Sequence, residues 1–347
     1  MTDIRNYSLE DLAKILKGWQ EPEYHAKQIF SWIYQKRAGS FEEITNLSLA
    51  LRKKLKENFT FRKLELARFR ESVDATKKFL FRLEDGNFIE SVMIPAEGRF
   101  TACLSTQVGC KYSCKFCASG LLGFKRNLEV WEILSQALEI NRRMQGGGEE
   151  RVTHIVFMGT GEPLDNYDNV LEAIRIINSK DGLNIGARRI TISTAGVIPG
   201  INKLSREGLQ IELSVSLHAS NDTTRSRLMP INKKYPLKDL IYACKKYASD
   251  SGRQVTFEYA LIRDVNCSSR DGRDLVKLSR GWLAKVNLLV YNPVKELSFQ
   301  PPDSKEISAF KHLIQNEGIP VTLRKPRGQD IEGACGQLRL RQGSNNA

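Results

Sequence analysis

The sequence predicts an α/β protein in which a partial (βα)6 barrel of the TIM type follows a small N-terminal helical domain. Three observations predict this fold class. Apolar residues recur at helical spacing near the N-terminus, six later segments have the pattern of strands, and helical patterns separate most of those strands. Because parallel strands need a crossover connection, this alternation indicates a parallel sheet that is closed or partly closed.

The N-terminal segment has the pattern of three helices. Ser8 followed by Asp11 makes a capping-box start, Pro22 lies near the start of the second helix, and the third begins near Ser48. Basic residues cluster along the third helix and just after it: Arg52, Lys53, Lys54, Lys56, Arg62 and Lys63. Such a module suits contact with a phosphate backbone, although a solvated helix face explains any single charge equally well.

We divide the chain into four parts. They are a helical accessory domain at residues 1–75, a β-rich connector at 76–100, the barrel at 101–325 and a C-terminal segment at 326–347. Barrel strands are predicted near 101–106, 153–158, 188–193, 211–217, 255–262 and 286–291, and helices near 128–144, 167–178, 236–249, 271–283 and 304–316. The glycines at 146–148 predict a flexible loop, and the tail from Gln342 is predicted to be disordered.

The composition is that of a globular protein with a basic balance. Lys and Arg number 53 against 40 Asp and Glu, which gives a formal charge of +13. This excess favours nucleic acid as a partner, but a generally basic surface explains the charge alone equally well. The chain has neither a secretory signal pattern nor the roughly 18 consecutive apolar residues that span a bilayer, so we expect a cytoplasmic protein without a membrane partner.

Three of the seven cysteines lie in one loop directly after the first predicted barrel strand. Cys110, Cys114 and Cys117 make a C-x3-C-x2-C pattern. Three thiolates can hold three irons of a cubane and leave the fourth iron open to a small molecule. The alternative is structural zinc, which needs a fourth ligand such as Cys103 or a distant histidine. Paired C-x2-C motifs are the usual zinc pattern, so the spacing favours an iron–sulfur cluster.

Polar residues also follow other predicted strands at their carboxyl ends, where barrel enzymes place their chemistry. Gly161 and Glu162 follow an apolar strand and offer a backbone edge and a carboxylate that can hold a ligand's amino group. The other candidates for contacts with a bound small molecule are Ser193, Ser216, Leu217, His218 and Asn292. Each of these could instead cap a loop, and His218 could be a structural histidine.

Seven segments, taken in order, resemble the RlmN/Cfr family of radical S-adenosylmethionine (SAM) RNA adenine methyltransferases. They are GCKYSCKFCASGLLGFKRNL, FMGTGEPLDNYDNV, RRITISTAG, VSLHASNDTTRSRLMPINKKYP, VTFEYALI, VNLLVYNP and GACGQLR. The resemblance covers nearly the whole chain, including EPEYHAKQIFSWIY near the N-terminus, and departs at Thr160, where MGMGEP is the commoner form. It implies one [4Fe–4S] cluster per chain on the three loop cysteines and SAM contacts from the strand-end residues.

The resemblance also implies roles for two further cysteines and one carboxylate. Cys335 takes a methyl group from one SAM, and a radical from a second SAM, cleaved at the cluster, activates that methyl group for addition to adenine. Cys103 then attacks the Cys335 sulfur, which releases the product and leaves a transient disulfide. Glu90 accepts a proton. From the residues alone, burial as a small apolar side chain explains a free cysteine, and we interpret Cys244 and Cys267 in that way.

The family resemblance implies an RNA substrate. RlmN-type members methylate C2 of an adenosine in the peptidyl-transferase loop of 23S rRNA, and some also methylate the adenosine 3′ of a tRNA anticodon, whereas Cfr-type members methylate C8 of the same rRNA base. The motifs lie closer to the RlmN type, so C2 is predicted. We expect a monomer that receives electrons from flavodoxin or ferredoxin. The alternatives are a radical SAM enzyme acting on a peptide or metabolite and a non-enzymatic, zinc-bearing RNA-binding protein.

Overall fold

The structure, a computed structural model, describes residues 1–144 and 151–338. The predicted glycine loop at 146–148 and the predicted disordered tail lie outside these residues. The N-terminal module consists of β1 (Thr2–Asp3), α1 (Leu9–Gly18), α2 (Tyr24–Phe30), α3 (Leu49–Asn58) and β2 (Phe59–Thr60). The predicted helix starts are confirmed, because the Ser8 hydroxyl accepts from the Asp11 backbone N–H and the Ser48 hydroxyl from that of Leu51.

The rest of the chain alternates strands and helices. The strands are β3 (Glu65–Glu71), β4 (Lys77–Arg82), β5 (Phe88–Ala96), β6 (Arg99–Cys103), β7 (Gln107–Gly109), β8 (Phe124–Asn127), β9 (His154–Phe157), β10 (Ile190–Thr194), β11 (Glu212–Ser216), β12 (Val255–Leu261), β13 (Ala284–Val290) and β14 (Val321–Arg324). The helices are α4 (Val130–Arg143), α5 (Tyr167–Asn178), α6 (Ile198–Leu204), α7 (Asp222–Leu228), α8 (Leu237–Ser251), α9 (Ser269–Ser279) and α10 (Ser304–Asn316).

Ten of these strands form one mixed sheet. Its spatial order is β14-β13-β12-β11-β10-β9-β6-β5-β4-β3, and β7 pairs with β8 in a separate small sheet. The strands from β6 to β14 in this order are parallel, whereas β3 to β6 are antiparallel. Six βα units therefore begin at β6, β9, β10, β11, β12 and β13, which confirms the predicted partial barrel. Its two ends do not pair, so the barrel is open.

Two strands of the ten-stranded sheet were missing from the sequence prediction. β14 adds a seventh parallel strand after the sixth βα unit, and its four residues are too few to show a period. β3 lies inside the stretch predicted as helical, and four of its seven residues, in the sequence ELARFRE, are charged. Charged residues suit an edge strand because they discourage pairing with another chain, so β3 lacks the apolar signal of an inner strand. The proposed domain boundaries stay a prediction.

The N-terminal module is fastened to α4 through buried polar contacts. Arg5 pairs with Asp3 at 2.7 Å and donates to the Ser135 hydroxyl on α4 at 2.8 Å. Asn6 bonds the start of the same helix, because its Oδ1 accepts from the Trp131 backbone N–H at 2.9 Å. The module is thus held against the helix that follows the cysteine loop. No helix in the described ranges is long and apolar enough to cross a membrane.

Candidate active site

A cavity opens at the carboxyl ends of the parallel strands. The predicted residues that line it are Cys110, Cys114, Cys117, Gly161, Glu162, Ser193, Ser216, His218, Asn292 and Cys335. Among the predicted SAM contacts only Leu217 does not line it: its side chain is buried in the core, and its backbone N–H donates to the Glu258 carbonyl at 3.0 Å. The topology therefore collects residues that are far apart in the sequence at one edge of the sheet.

The cysteine loop is held from several sides. The Cys110 backbone N–H donates to the Gly123 carbonyl at 3.0 Å, and that of Lys115 donates to the Leu228 carbonyl at 2.9 Å. The Tyr112 hydroxyl donates to the Asp165 carboxylate at 2.9 Å, a contact that ties the loop to the turn after β9. These bonds fix the loop independently of any bound group.

Three thiols from one loop line the cavity and can bind a metal cluster. Burial raises the pKa of Cys110 to about 12 and that of Cys114 well above its ordinary value, so both need a cation before they ionise. Within the described ranges, no three His, Cys, Asp or Glu side chains converge on a single metal ion. Each thiolate of a cubane binds a different iron, so such convergence is not required. The residues therefore fit an iron–sulfur cluster with one open iron.

The turn after β9 places a buried carboxylate in the cavity. Glu162 is 3% exposed, and its oxygens accept from the backbone N–H groups of Ala195 at 2.6 Å and Leu164 at 3.0 Å. Burial raises the pKa of Glu162 to about 7, although these bonds oppose the shift. The preceding Gly161 has φ +111°, and a Cβ there would approach Gln107 Cβ to 2.6 Å. Only glycine fits this turn.

His218 is a neutral imidazole at the cavity wall. Its Nδ1 accepts from the Ala260 backbone N–H at 3.0 Å, so the proton lies on Nε2. Burial lowers the pKa of His218 to about 3, and the Phe116 ring packs edge-on against it with centroids 4.7 Å apart. His218 is thus both structurally satisfied on one side and able to donate a hydrogen bond from the other.

Arg225, on α7, supports the strand ends from behind. It is fully buried and donates to the carbonyls of Ala195, Ser216 and Leu217, at 2.7, 3.2 and 3.2 Å. A fourth bond reaches Asn232 Oδ1 at 2.8 Å. Sequence analysis missed this residue, because nothing in a charged seven-residue helix distinguishes a buried arginine from an exposed one.

Sequence analysis also missed a buried acid on β12. Glu258 lines the cavity, is 4% exposed, and its Oε1 accepts from Ser214 and Asn287, each at 3.2 Å. Arg324, at the end of β14, lies 3.9 Å from Glu258 Oε2. Burial raises the pKa of Glu258 above its ordinary value. A carboxylate within the apolar strand VTFEYALI was the signal that could have found it, since unpaired charges are seldom buried.

A second cavity adjoins the first. Cys103, Val92 and Ile94 line one part of it, and its basic residues are Arg99, Arg324, Lys325 and Arg327. Cys335 lines both cavities. Cys335 is exposed towards the cavities, but protein packs closely around its thiol. This burial raises the pKa of Cys335, and the Arg324 guanidinium opposes the shift. Cys335 therefore stands between a thiol-lined cavity and a basic one.

The contacts of Asn292 and Glu90 differ from those of a simple ligand-binding residue. Asn292 Nδ2 donates to the Cys335 carbonyl at 3.2 Å, and its Oδ1 accepts from Gln329 at 2.7 Å. Glu90 is buried on β5 and forms an ion pair with Lys78 at 2.8 Å. Cys103 and Cys335 are both free thiols. Asn292 thus fixes the backbone of the segment that carries Cys335.

Comparison with known proteins identifies the family. Residues 104–271 match the family model of the radical SAM superfamily, and residues 2–61 match the ribosomal RNA large subunit methyltransferase N-terminal domain. A probable dual-specificity RNA methyltransferase RlmN from Dictyoglomus turgidum is 47% identical over 98% of this chain and 97% of its own length. A protein of the same name from Clostridium novyi is 43% identical over the full length of both chains.

The fold leads to the same family. The crystal structure of a radical SAM methyltransferase from Sphaerobacter thermophilus superposes with a TM-score of 0.93 and is 42% identical, covering 98% of this chain and 99% of that one. Full-length identity of this degree, the two family matches and the thiol-lined cavity agree. The chain belongs to the RlmN family of radical SAM RNA methyltransferases, and it is an enzyme.

Proposed function

We propose that this enzyme methylates C2 of an adenosine in the peptidyl-transferase loop of 23S rRNA, with the adenosine 3′ of a tRNA anticodon as a second target. One observation carries the proposal: Cys335 borders both a cavity lined by three thiols and a cavity lined by basic residues. A residue in that position can accept a group on one side and deliver it on the other. The name "dual-specificity", given to the relatives, supports two RNA substrates.

The first cavity is where SAM would bind. Cys110, Cys114 and Cys117 would hold three irons of a [4Fe–4S] cluster, which supplies the electron that cleaves SAM when both are bound. Glu162 is suited to the amino group, because an ammonium favours the ionised form of a buried carboxylate. The remaining polar atoms at the strand ends, those of Ser193, Ser216 and His218, would orient the ribose and adenine.

The second cavity is where the RNA base would bind. Its basic side chains suit phosphate, and the formal charge of +13 suits a polyanion. Cys335, as a thiolate, would attack the methyl carbon of SAM with S-adenosylhomocysteine as the leaving group. After loss of one hydrogen atom to the radical from a second SAM, that carbon would bond to the adenine. Glu90 would take the proton that leaves the methylated base. Cys103 would attack the Cys335 sulfur, release the product and form a disulfide, which an external thiol must reduce before the next cycle.

The conditions of the reaction follow from this chemistry. SAM cleavage needs one electron at a time, which a flavodoxin or ferredoxin can deliver. Repeated reduction of the Cys103–Cys335 disulfide suits a reducing cytoplasm. We expect the enzyme to act as a monomer with one cluster and to use two SAM molecules per methyl group transferred.

The two cysteines give the test, because they act at opposite ends of one covalent cycle. With cluster-loaded enzyme and protein-free 23S rRNA, we expect Cys335→Ala to retain iron but form neither methyladenosine nor a protein–RNA adduct. Cys103→Ala should accumulate RNA bound through Cys335, visible as a nuclease-sensitive band on a denaturing gel. The double variant should behave like Cys335→Ala, since the later step cannot matter without the earlier one.

The contrary results are equally clear. Normal turnover by Cys103→Ala without trapped RNA would remove the disulfide step from the mechanism. Mass spectrometry of the digested RNA identifies the methylated carbon, and we expect 2-methyladenosine. Finding 8-methyladenosine instead would assign the chain the chemistry of Cfr-type enzymes.

A further inference from the structure

The hairpin formed by β3 and β4 grips the segment that precedes Cys335. The Ser72 hydroxyl donates to Asp330 Oδ1 at 2.6 Å, and the Gly328 backbone N–H donates to Asp74 Oδ2 at 3.1 Å. Both of these contacts lie at the tip of the hairpin. More than 250 residues of sequence separate the partners, so the hairpin and the C-terminal segment meet only in the folded protein.

Lys78 makes the innermost of these contacts and has a second partner. Its Nζ donates to the Glu332 carbonyl at 2.9 Å, three residues before Cys335. The same Nζ lies 2.8 Å from Glu90 Oε1, and the side chains of Lys78 and Glu90 are only 9% and 4% exposed. A buried ammonium at this distance favours the carboxylate over the carboxylic acid. One cation therefore holds the Glu90 side chain and the backbone next to Cys335.

The strand register places Glu90 on the cavity side of the sheet. Side chains alternate along β5, so Glu90 shares a face with Val92 and Ile94, and both of these line the second cavity. Val92 is also paired across the strands with Cys103, which lines the same cavity. Glu90 thus lies one step along the strand from the residues around the expected position of the base.

We propose that Lys78 is a positioning residue that keeps Glu90 ionised and sets its place relative to the Cys335 segment. The inference rests on the proposed role of Glu90 as proton acceptor and adds to it. An acceptor must be a carboxylate before the proton arrives, and it must face the adduct that Cys335 forms. Lys78 meets both requirements through one ammonium group. It touches neither SAM nor the base in this scheme, so it acts through Glu90.

The test compares Lys78→Met with Lys78→Arg and Lys77→Met. Lys77 precedes Lys78 on β4 and points to the opposite face, so Lys77→Met removes the same charge from the same strand. In cluster-loaded enzyme we expect Lys78→Met to resolve the protein–RNA adduct about 10 to 100-fold more slowly, which is less than the roughly 100- to 10,000-fold contribution of a general base because Glu90 itself remains. Its resolution rate should also require a higher pH, because the carboxylate has lost its cation. Lys78→Arg should recover most of the rate, and Lys77→Met should match the wild type.

A second measurement separates positioning from folding and needs no cluster. The rate of Cys335 alkylation by iodoacetamide in the apoprotein should change several-fold in Lys78→Met but not in Lys77→Met. If Lys78→Met unfolds because Glu90 stays buried without the Lys78 ammonium, the double variant Lys78→Met/Glu90→Gln removes both charges and restores a foldable chain for this measurement. Unchanged alkylation in the variant that folds would overturn the contact between Lys78 and the Cys335 segment as a functional one.

Two further variants distinguish this inference from the function on which it rests. Asp330→Asn weakens the outer contact of the same segment and leaves Glu90 untouched, so it should not displace the pH profile. If Glu90→Gln slows adduct resolution but Lys78→Met has wild-type rate and pH dependence, the role of Lys78 is refuted and that of Glu90 stands. If Glu90→Gln resolves the adduct normally, Glu90 is not the proton acceptor, and the inference about Lys78 falls with it.

Discussion

Replacement of Arg225 by methionine should lower both the stability of the protein and the affinity of its first cavity for SAM. The side chain donates four hydrogen bonds, three to carbonyls at the ends of β10 and β11 and one to Asn232. Methionine fills a similar length but donates none of them. Burial lowers the pKa of Arg225 to about 10, so the side chain is still charged near neutral pH and its bonds are charge-assisted.

The structure gives the size of the effect. A buried acceptor that loses its only partner costs about 1–3 kcal/mol, so four acceptors set an upper range near 4–12 kcal/mol. Methionine also removes the cost of burying a guanidinium, which reduces this sum. We therefore expect a loss of about 3 kcal/mol in the free energy of unfolding.

Urea unfolding of Arg225→Met against Arg227→Met measures this loss. Arg227 lies two residues along the same helix and is exposed, so its replacement should change the free energy of unfolding by less than about 0.5 kcal/mol. SAM affinity, measured by equilibrium dialysis with cluster-loaded protein, should fall only in Arg225→Met. A loss below about 1 kcal/mol with unchanged SAM affinity would refute the view that Arg225 supports the strand ends.

Three further predictions concern the cavities. SAM affinity should fall as the pH drops below about 7, towards a limit of tenfold per pH unit, because burial raises the pKa of Glu162 and the ammonium group of SAM needs the carboxylate form. In equilibrium dialysis, Glu162→Gln should bind SAM weakly at every pH. Gly109→Ala should lose iron on anaerobic purification, since φ is +75° and a Cβ would lie 1.7 Å from the Gly123 oxygen, whereas Gly186→Ala has open space and should retain it. RNA affinity should fall steeply with salt, and Arg99→Gln should reduce the slope of log K against log salt by about 0.7–0.9 if that side chain contacts a phosphate.

The sequence was informative wherever the signal was local. The apolar runs of β9 to β13 and the spacing of Cys110, Cys114 and Cys117 are properties of short stretches. In the structure the runs are neighbouring parallel strands, and the three cysteines line the cavity at the carboxyl ends of those strands. The caps at Ser8 and Ser48 are local for the same reason. Short-range patterns of this kind survive without knowledge of the tertiary structure.

The residues that the sequence did not reveal depend on long-range contacts. Lys78 meets Glu332 from 254 positions away, and Arg225 looks like any other cation in a polar helix. Asn292 illustrates the same limit from the other side. Its position at a strand end suggested a SAM contact, but an amide can donate to whatever oxygen lies nearby, and in the folded chain one such oxygen belongs to Cys335.

The bonds between the N-terminal module and α4 fix the position of that module relative to the two cavities. Arg5 and Asn6 bond the module to α4, the first long helix after the cysteine loop, and Asp3 pairs with the Arg5 side chain. An RNA bound by the module would therefore reach the cavities at a fixed distance from its binding site. Which adenosine reaches Cys335 would then depend on the folded shape of the RNA between the module and the cavity more than on its base sequence. Two RNAs with unrelated sequences could then present an adenosine at the same place.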